Sequence, residues 1–207
     1  ASAERVFAQR SGGRGGGRVQ NVGARIHLGK DGTITVLAGK VELGQGSRAE
    51  LSQAAAEELR VPVERIQMVL ADTGLVPDDG NTAGSRTTPS TVPAVRQAAA
   101  AARQLLAQLA SQRWQVEPAT VEVRDAKVTH PGTQRTISFA ELAQSEDLAK
   151  AFQQAGPSGI ELTPVKDWKV LGTSVPRPNR RALVTGGHKF PSDFVRPGML
   201  YGKILRA

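Results

Sequence analysis

Apolar and polar residues alternate in two short segments that begin near residue 24. Ile26 and Leu28 are separated by a polar residue, and "TITVLAG" at 33–39 continues the alternation. Between the two segments lie Asp31 and Gly32, a dipeptide typical of tight hairpin turns. The pattern predicts two strands joined by a turn at 31–32.

A helical period replaces the alternation after the sequence "GQG" at 44–46. The apolar residues that recur on one helical face are Leu51, Ala54, Ala55 and Leu59. Ser47 and Glu50 have the spacing of a capping box, which predicts that the helix begins at Ser47. The segment "VPVERIQMVLAD" then predicts a strand that ends near Asp72.

A second helix is predicted over 88–112, after the loop "TGLVPDDGNTAGSRT" at 73–87. Thr88 followed by Pro89 is typical of a helix N-cap with proline at the first helical position. The helical stripe consists of Val92, Val95, Ala99, Ala102, Leu106 and Leu109. Its many alanines favour close packing against a sheet or another helix.

The remaining sequence predicts short elements and a change of organisation. Strands are predicted at 120–124, 127–130 and 135–138, and one or two helices from Phe139 to about Gln154. The fold class predicted is α/β (α+β), a mixed sheet with packed helices. We expect a flexible Gly/Arg-rich arm at 1–23, a domain at 24–155, and a connector with a strand-rich unit at 156–207. Because the chain stops on the apolar segment "MLYGKILRA", we expect the natural polypeptide to continue.

Composition excludes several kinds of site. The 207 residues include no cysteine, which excludes thiolate zinc sites, cysteine-ligated iron–sulfur clusters, disulfides and a cysteine nucleophile in this chain. The three histidines, His27, His130 and His188, are far apart and lack the i, i+4 spacing of a metal site. The sequence contains no run of eighteen apolar residues, so no membrane-spanning helix is predicted.

The net charge of +8 leaves two interpretations open. A dispersed basic surface is one. The other is a nucleic-acid-binding α/β module in which "SGGRGGG" at 11–17 acts as an RGG-like arm. Salt-dependent binding of nucleic acid would distinguish the second interpretation from the first.

A Rossmann-type dinucleotide site is a further alternative, since Gly44-x-Gly46-x-x-Ala49 fits the fingerprint. Two features count against it. Lys40 and Glu42 interrupt the apolar run that a buried parallel strand would show. Asp72, the acidic residue at the end of the next predicted strand, lies further along the chain from Gly44 than the ribose-binding acid of a Rossmann site usually does.

Two glycine-containing loops each lead into a predicted helix N-terminus, where unpaired N–H groups favour anions. Gln45 in the first loop offers an amide that both donates and accepts. The hydroxyl groups in the second loop belong to Thr82, Ser85, Thr87 and Thr88. A purely structural role, in which Thr88 caps a helix and Gln45 satisfies its own turn, is the alternative. We predict that the two loops lie close together and that their helix N-termini converge on one cleft.

The segment 41–88 resembles the part of molybdenum hydroxylases, the xanthine dehydrogenase and aldehyde oxidase family, that helps enclose the molybdopterin cofactor. The shared pattern is E-x-G-Q-G, an amphipathic helix, a strand ending at 72–73, and the loop T-x-G-S-R-T at 82–87. The segment 184–206 is similar to the opening of that family's α/β hammerhead domain. Their order resembles the amino-terminal part of the large subunit of isoquinoline 1-oxidoreductase-like enzymes.

The resemblance implies a molybdopterin cofactor with molybdenum, as the cytosine dinucleotide, shared with the remainder of the large subunit. The residues that it implies for cofactor binding are Gly44, Gln45, Gly46, Thr82, Gly84, Ser85, Arg86, Thr87 and Thr88. Ala49 departs from the pattern, since many members carry threonine there. The domain at 24–155 would then be of the molybdopterin-binding type, and the unit at 156–207 would begin the hammerhead.

The implied reaction is oxidative hydroxylation of an N-heteroaromatic ring or an aldehyde, with water as the oxygen source. No Glu in this chain matches the motif of the family's catalytic base, so we assign no catalytic residue and expect the chain alone to be inactive. The implied partners are a small-molecule substrate, an iron–sulfur small subunit and a cytochrome c subunit, and no nucleic acid. The family resemblance favours a periplasmic or membrane-associated location, with a cytoplasmic one also open.

Overall fold

A computed structural model describes residues 21–154, 156–157 and 159–206 of the chain. Most of the predicted flexible arm at 1–23, including the segment at 11–17, lies outside the described residues. The described elements are two three-stranded sheets with the helices that pack on them.

The first sheet consists of β1 (Ile26–Leu28), β2 (Ile34–Ala38) and β3 (Ile66–Leu70) in that order. β1 and β2 are antiparallel, with Ile26 opposite Val36, so the predicted hairpin is confirmed. Its turn places Gly32 at φ 86°, a left-handed conformation that glycine adopts without strain. β3 runs parallel to β2, which requires a crossover between the two strands.

That crossover is α1 (Ser47–Leu59), and α2 (Val92–Trp114) packs beside it. The predicted apolar face of α1 is buried, and Leu51 and Leu59 have no exposed surface. The run of alanines in α2, from 98 to 102, is also buried. Because alanine side chains are short, the two helices can approach each other closely.

Both helices are capped differently from the prediction. α1 does start at Ser47, but its N-cap is Gly46 at φ 92°, and the predicted capping box between Ser47 and Glu50 does not form. The helical conformation before α2 begins at Thr87 in a wide turn over Thr87–Thr91, so Thr88 is not the N-cap. Glu50 instead accepts the Thr88 hydroxyl at 2.5 Å, and neither side chain caps its own helix.

The second sheet is an antiparallel meander of β4 (Glu122–Arg124), β5 (Lys127–His130) and β6 (Arg135–Ser138). It is followed by α3 (Phe139–Leu142) and α4 (Glu146–Gln153), so these short elements are confirmed. Val128 and Phe139 are buried in the same apolar core as residues of α1 and α2. The mixed helix and sheet architecture predicted from the sequence is therefore confirmed.

The chain divides into two compact units, the first up to Val175 and the second from Pro176. The domain limits predicted at 23–24 and 155–156 stay a prediction. In the first unit, the segment from Ile160 to Thr173 packs against α1, with Val170 and Leu171 against the core. We call this segment, residues 160–173, the connector.

The second unit contains α5 (Arg180–Val184) and no strand among its described residues, 176–206. The strands predicted for this tail are therefore not formed there. A strand needs a neighbouring strand for its N–H and C=O groups. The apolar side chains that would face such a neighbour, such as Leu200 and Ile204, are 93% and 88% exposed.

Candidate cofactor-binding site

The two glycine-containing loops lie side by side at one end of the first sheet. The N–H of Val41, before the first loop, donates to the Thr82 hydroxyl in the second loop at 2.9 Å. The Thr88 hydroxyl donates to Glu50 in the first turn of α1. Hydrogen bonds therefore join the second loop to residues on either side of the first loop, and the predicted proximity of the two loops is confirmed.

An ion pair fixes the second loop to the end of β2. The Arg25 guanidinium binds the Asp79 carboxylate through both terminal nitrogens, and the same carboxylate accepts the N–H of Gly39 at 2.7 Å. A Cβ at position 39 would lie 2.2 Å from the carbonyl oxygen of Pro77. Glycine is thus needed at position 39 because the loop backbone lies directly against it.

Lys40 is buried beneath the second loop and is only 1% exposed. Its Nζ donates to the carbonyl oxygens of Asp79, Gly80 and Asn81 at 2.8, 3.3 and 2.9 Å. The sequence pattern assigns Lys40 no role in the site, since its alternation with apolar neighbours indicates a half-exposed strand. The Lys40 ammonium group thus binds the second loop to the end of β2 through three charge-assisted hydrogen bonds.

The N-terminus of α1 is capped by a carboxylate from its own chain. Glu42 accepts the N–H of Gly44 at 2.8 Å, of Gly46 at 3.0 Å and of Arg48 at 2.9 Å. These are the donors that an anionic ligand was expected to use at this helix. Since Glu42 already accepts these three N–H groups, the first loop can offer a ligand its side chains more readily than these backbone donors.

Gln45 is exposed, and its amide bonds within its own turn. Its Oε1 accepts the N–H of Leu43 at 2.6 Å, and its Nε2 donates to the Val41 carbonyl and the Ser47 hydroxyl, both at 2.8 Å. Both amide hydrogens are thereby engaged. The Oε1 atom retains one lone pair that a ligand could use.

The second loop borders an open cleft of about 500 Å³. The residues that line it are Lys40, Asp79, Gly80, Asn81, Ala83, Gly84, Arg86 and Ser90. Gly80 and Gly84 have left-handed backbones, at φ 71° and 60°, and a Cβ at either position would meet no backbone atom within 4 Å. The cleft is therefore open to a ligand at both glycines.

The charge and donors of this cleft fit a ligand that carries a phosphate group. The Asp79 carboxylate is engaged by Arg25, so Lys40 and Arg86 leave a positive excess on the lining. Among the described residues the Arg86 guanidinium forms no ion pair. A guanidinium and glycine backbone are groups that bind phosphate oxygens at close approach.

Only some of the predicted site residues lie at the cleft. Gly84 and Arg86 line the cleft, and Thr82 ties the loop to the sheet. The remaining predicted residues, which do not line the cleft, are Gly44, Gln45, Gly46, Ser85, Thr87 and Thr88. The helix N-termini thus lie near each other without both facing the cleft. The cofactor contacts of all nine residues stay a prediction.

Two further properties of the described part of the chain bear on other kinds of site. No group of three or more His, Cys, Asp or Glu side chains in residues 21–154, 156–157 and 159–206 is arranged to hold a metal ion. None of the helices described there is long and apolar enough to span a membrane.

Comparison with known proteins gives matches along most of the chain. The sequence profile of the molybdopterin cofactor-binding domain family matches residues 6–181. One of the subunits of nicotinate dehydrogenase from Pseudomonas putida is 33% identical over 181 residues, which cover 87% of this chain and 15% of that protein. The beta subunit of isoquinoline 1-oxidoreductase from Brevundimonas diminuta is 28% identical over 219 residues, covering 89% and 28%.

Among solved structures, reconstituted CO dehydrogenase from Oligotropha carboxidovorans is similar, with a TM-score of 0.51 and 25% identity. The similarity covers 57% of this chain and 15% of that chain. The chain thus spans 15% to 28% of the length of these three proteins.

Proposed function

The chain belongs to the molybdopterin cofactor-binding domain family, and from this premise we propose that it forms part of the cofactor site of a molybdenum-dependent oxidoreductase. The predicted membership of the molybdenum hydroxylase family is confirmed. The two alternatives, a nucleic-acid-binding module and a Rossmann-type dinucleotide site, are not favoured by these matches.

The observation that carries the proposal is the cleft beside the second loop. Gly84 lets a ligand approach the backbone, and Arg86 supplies a positive charge on the same lining. We propose that Arg86, Asn81 and the backbone at Gly84 bind the phosphate-bearing part of the cofactor. Gln45 and Gly46, held beside this loop, would contact it from the first loop.

The chemistry that molybdopterin would supply leaves a proton-abstracting base to be provided by the protein. When bound, molybdopterin would supply a molybdenum centre for oxidative hydroxylation with water as the oxygen source. In this chain, Glu42 and Lys40 hold the two loops in place, and no described carboxylate lies on the cleft other than Asp79, which Arg25 engages. We therefore assign this chain to cofactor binding and the proton-abstracting base to another part of the protein.

The finer assignments follow from the same family relationship. We propose the cytosine dinucleotide form of the cofactor, and an N-heteroaromatic or aldehyde substrate for the whole protein. The names of the relatives from Pseudomonas putida and Brevundimonas diminuta, nicotinate dehydrogenase and isoquinoline 1-oxidoreductase, support the heteroaromatic class. We propose that the iron–sulfur clusters are carried by a separate small subunit, as the family resemblance implies, and the absence of cysteine from this chain agrees with that arrangement. A cytochrome c subunit and a periplasmic or membrane-associated location complete the proposal.

The test is cofactor retention by the longer protein that contains this chain. We expect Arg86→Ala to lower the molybdopterin content, measured by fluorescence of the released and oxidised pterin together with molybdenum analysis. Arg65→Ala is the matched control, because Arg65 lines a different open cleft of about 490 Å³ between β3 and the hairpin turn. Equal molybdopterin content in the two variants would contradict the placement of the cofactor beside Arg86.

A further inference from the structure

Lys40 combines near-complete burial with an unusual set of partners. Its Nζ donates to three successive carbonyl groups, of Asp79, Gly80 and Asn81, at 2.8–3.3 Å. Burying a charge is unfavourable unless the charge is paired or fully hydrogen-bonded. Three carbonyl acceptors use all three hydrogens of an ammonium group, so the burial of this cation is compensated by backbone dipoles.

Among the described residues that line the cleft, the only carboxylate is that of Asp79, and it does not neutralise Lys40. The Asp79 side chain is bonded to Arg25 and to the N–H of Gly39, while Lys40 contacts the Asp79 carbonyl. Among the described residues, Lys40 forms no salt bridge. A positive charge therefore remains on the cleft lining, under the loop.

The three carbonyl contacts also set the direction of the neighbouring N–H groups. In a trans peptide the N–H points away from the C=O of the same unit, and the described chain contains no cis peptide. The N–H of Gly80 donates to Asp78 at 2.9 Å. Within the described residues, the N–H groups of Asn81 and Thr82 have no hydrogen-bond acceptor. Turning the carbonyls toward Lys40 leaves these two donors available to a ligand.

We propose that Lys40 is a positioning residue for the cofactor: it shapes the 79–82 backbone into an anion-binding arrangement and adds its positive charge to that of Arg86 on the cleft lining. The ligand group that fits is a phosphate of the cofactor, bound by the N–H of Asn81 on the cleft lining and by the N–H of the next residue, Thr82, which borders the lining. This ligand assignment rests on the proposed function, whereas the effect of Lys40 on the loop does not. Lys40 itself need not touch the ligand.

The first experiment measures whether Lys40 holds the loop in the chain without cofactor. The N–H groups of Gly39 and Val41 donate to side chains of the loop, Asp79 and Thr82, at 2.7 and 2.9 Å. Their hydrogen exchange, followed by NMR, reports loop docking. We expect Lys40→Met to speed exchange of both amides at least tenfold. Lys30→Met, which removes an exposed lysine from the hairpin turn, should leave both rates unchanged.

A second variant covers the case in which Lys40→Met does not fold, as judged by circular dichroism. Lys40→Gln keeps a polar amide that can donate to two carbonyls, and we expect an intermediate increase in exchange at Gly39 and Val41. Exchange rates equal to those of the unsubstituted chain in a folded Lys40→Met or Lys40→Gln variant would overturn the inference.

The second experiment measures molybdopterin content in the longer protein carrying the same substitutions. We expect Lys40→Met to retain at least tenfold less cofactor than Lys30→Met. Faster exchange with unchanged cofactor content would overturn the ligand assignment to the N–H groups of Asn81 and Thr82, whereas the placement of the cofactor beside Arg86 is tested separately by Arg86→Ala. Unchanged exchange would overturn the role of Lys40 and leave the proposed function standing, to be tested by Arg86→Ala.

Discussion

Glu58 of α1 has no exposed surface, and its Oε1 accepts two hydrogen bonds from Arg96 of α2, at 2.9 and 2.6 Å. The same carboxylate accepts the N–H and the hydroxyl of Thr163 in the connector. Arg96 also lies over the ring of Trp168, 5.3 Å from its centroid. One buried carboxylate thus joins both central helices to the connector.

Removing that carboxylate should destabilise the chain strongly. Glu58→Ala leaves Arg96 without its buried partner, and breaking a buried ion pair from one side costs about 3–5 kcal/mol. The control is Glu146→Ala, which removes an exposed partner of Lys150 and should change stability by less than about 1 kcal/mol. Urea denaturation of the two variants measures the difference. Similar midpoints would show that the Glu58 cluster does not stabilise the fold.

Gly39 should tolerate no side chain. Gly39→Ala places a Cβ within 2.2 Å of the Pro77 carbonyl oxygen and 2.8 Å of the Asp79 nitrogen, so the loop must shift. We expect a loss of about 1–3 kcal/mol, as for other overpacked sites. Gly202→Ala is the matched control, since a Cβ there meets no atom within 4 Å. If both variants unfold at the same denaturant concentration, the close contact between β2 and the loop is wrong.

Cofactor retention should depend more on Gly84 than on Gln45. In the longer protein, Gly84→Val adds a branched side chain at a left-handed position on the cleft, whereas Gln45→Ala removes an amide that bonds mainly within its own turn. Molybdopterin content should therefore fall further in Gly84→Val. Each tenfold loss of affinity corresponds to about 1.4 kcal/mol.

Gly32→Val separates this effect from backbone strain alone. Gly32 has φ 86° in the hairpin turn and does not line the cleft, so Gly32→Val also places a branched side chain on a left-handed backbone but should keep its cofactor. Equal loss from Gly84→Val and Gly32→Val would indicate a folding defect. Greater loss from Gln45→Ala than from Gly84→Val would move the main contact to the first loop.

The N-terminus of α3 should show a defined pH dependence. Hydrogen bonds from the Ser138 hydroxyl, and secondly from its N–H, lower the pKa of Glu141 below its ordinary value. A lowered carboxyl pKa contributes stability above the ordinary pKa, and this is lost as the pH falls through the lowered value. Ser138→Ala should raise the pKa of Glu141 toward its ordinary value, as followed by NMR titration.

The stability difference between the unsubstituted chain and Ser138→Ala should consequently shrink on acidification. Ser145→Ala is the control: Ser145 caps α4 by accepting N–H groups, and its hydroxyl donates to no carboxylate in the described part of the chain. Its stability difference should not follow the titration of Glu141. A pKa of Glu141 that is unchanged in Ser138→Ala would contradict the assignment.

Elements set by local pattern could be predicted from the sequence. The alternation at Ile26 and Leu28, with a turn at Gly32, was sufficient for the hairpin, because strand pairing across a short turn depends on nearby residues. The apolar stripe from Leu51 to Leu59 was sufficient for α1. The proximity of the two loops was predicted from the hypothesis that one ligand is held from two sides, and the hydrogen bonds near both loops confirm the proximity itself.

Features that depend on distant backbone could not be predicted. Lys40 is buried because carbonyl groups 39–41 residues later surround its Nζ, and nothing in the local alternation indicates this. The Ser47–Glu50 spacing fits a capping box, but Glu42 caps the helix, since a left-handed Gly46 lets the chain turn back toward it. The sequence pattern of residues 176–206 predicted strands but could not show whether a neighbouring strand was present to pair with them.

The neighbouring carboxylates of α1 fix the length of part of the connector. Glu58 binds Thr163, and one oxygen of Glu57 accepts the N–H groups of Lys169, Val170 and Leu171 at 2.6–2.9 Å. Because adjacent residues of one rigid helix hold both points, the segment 164–168 spans a set distance. A residue inserted there would shift the three N–H groups out of register with Glu57, so changes in chain length must fall outside 164–168.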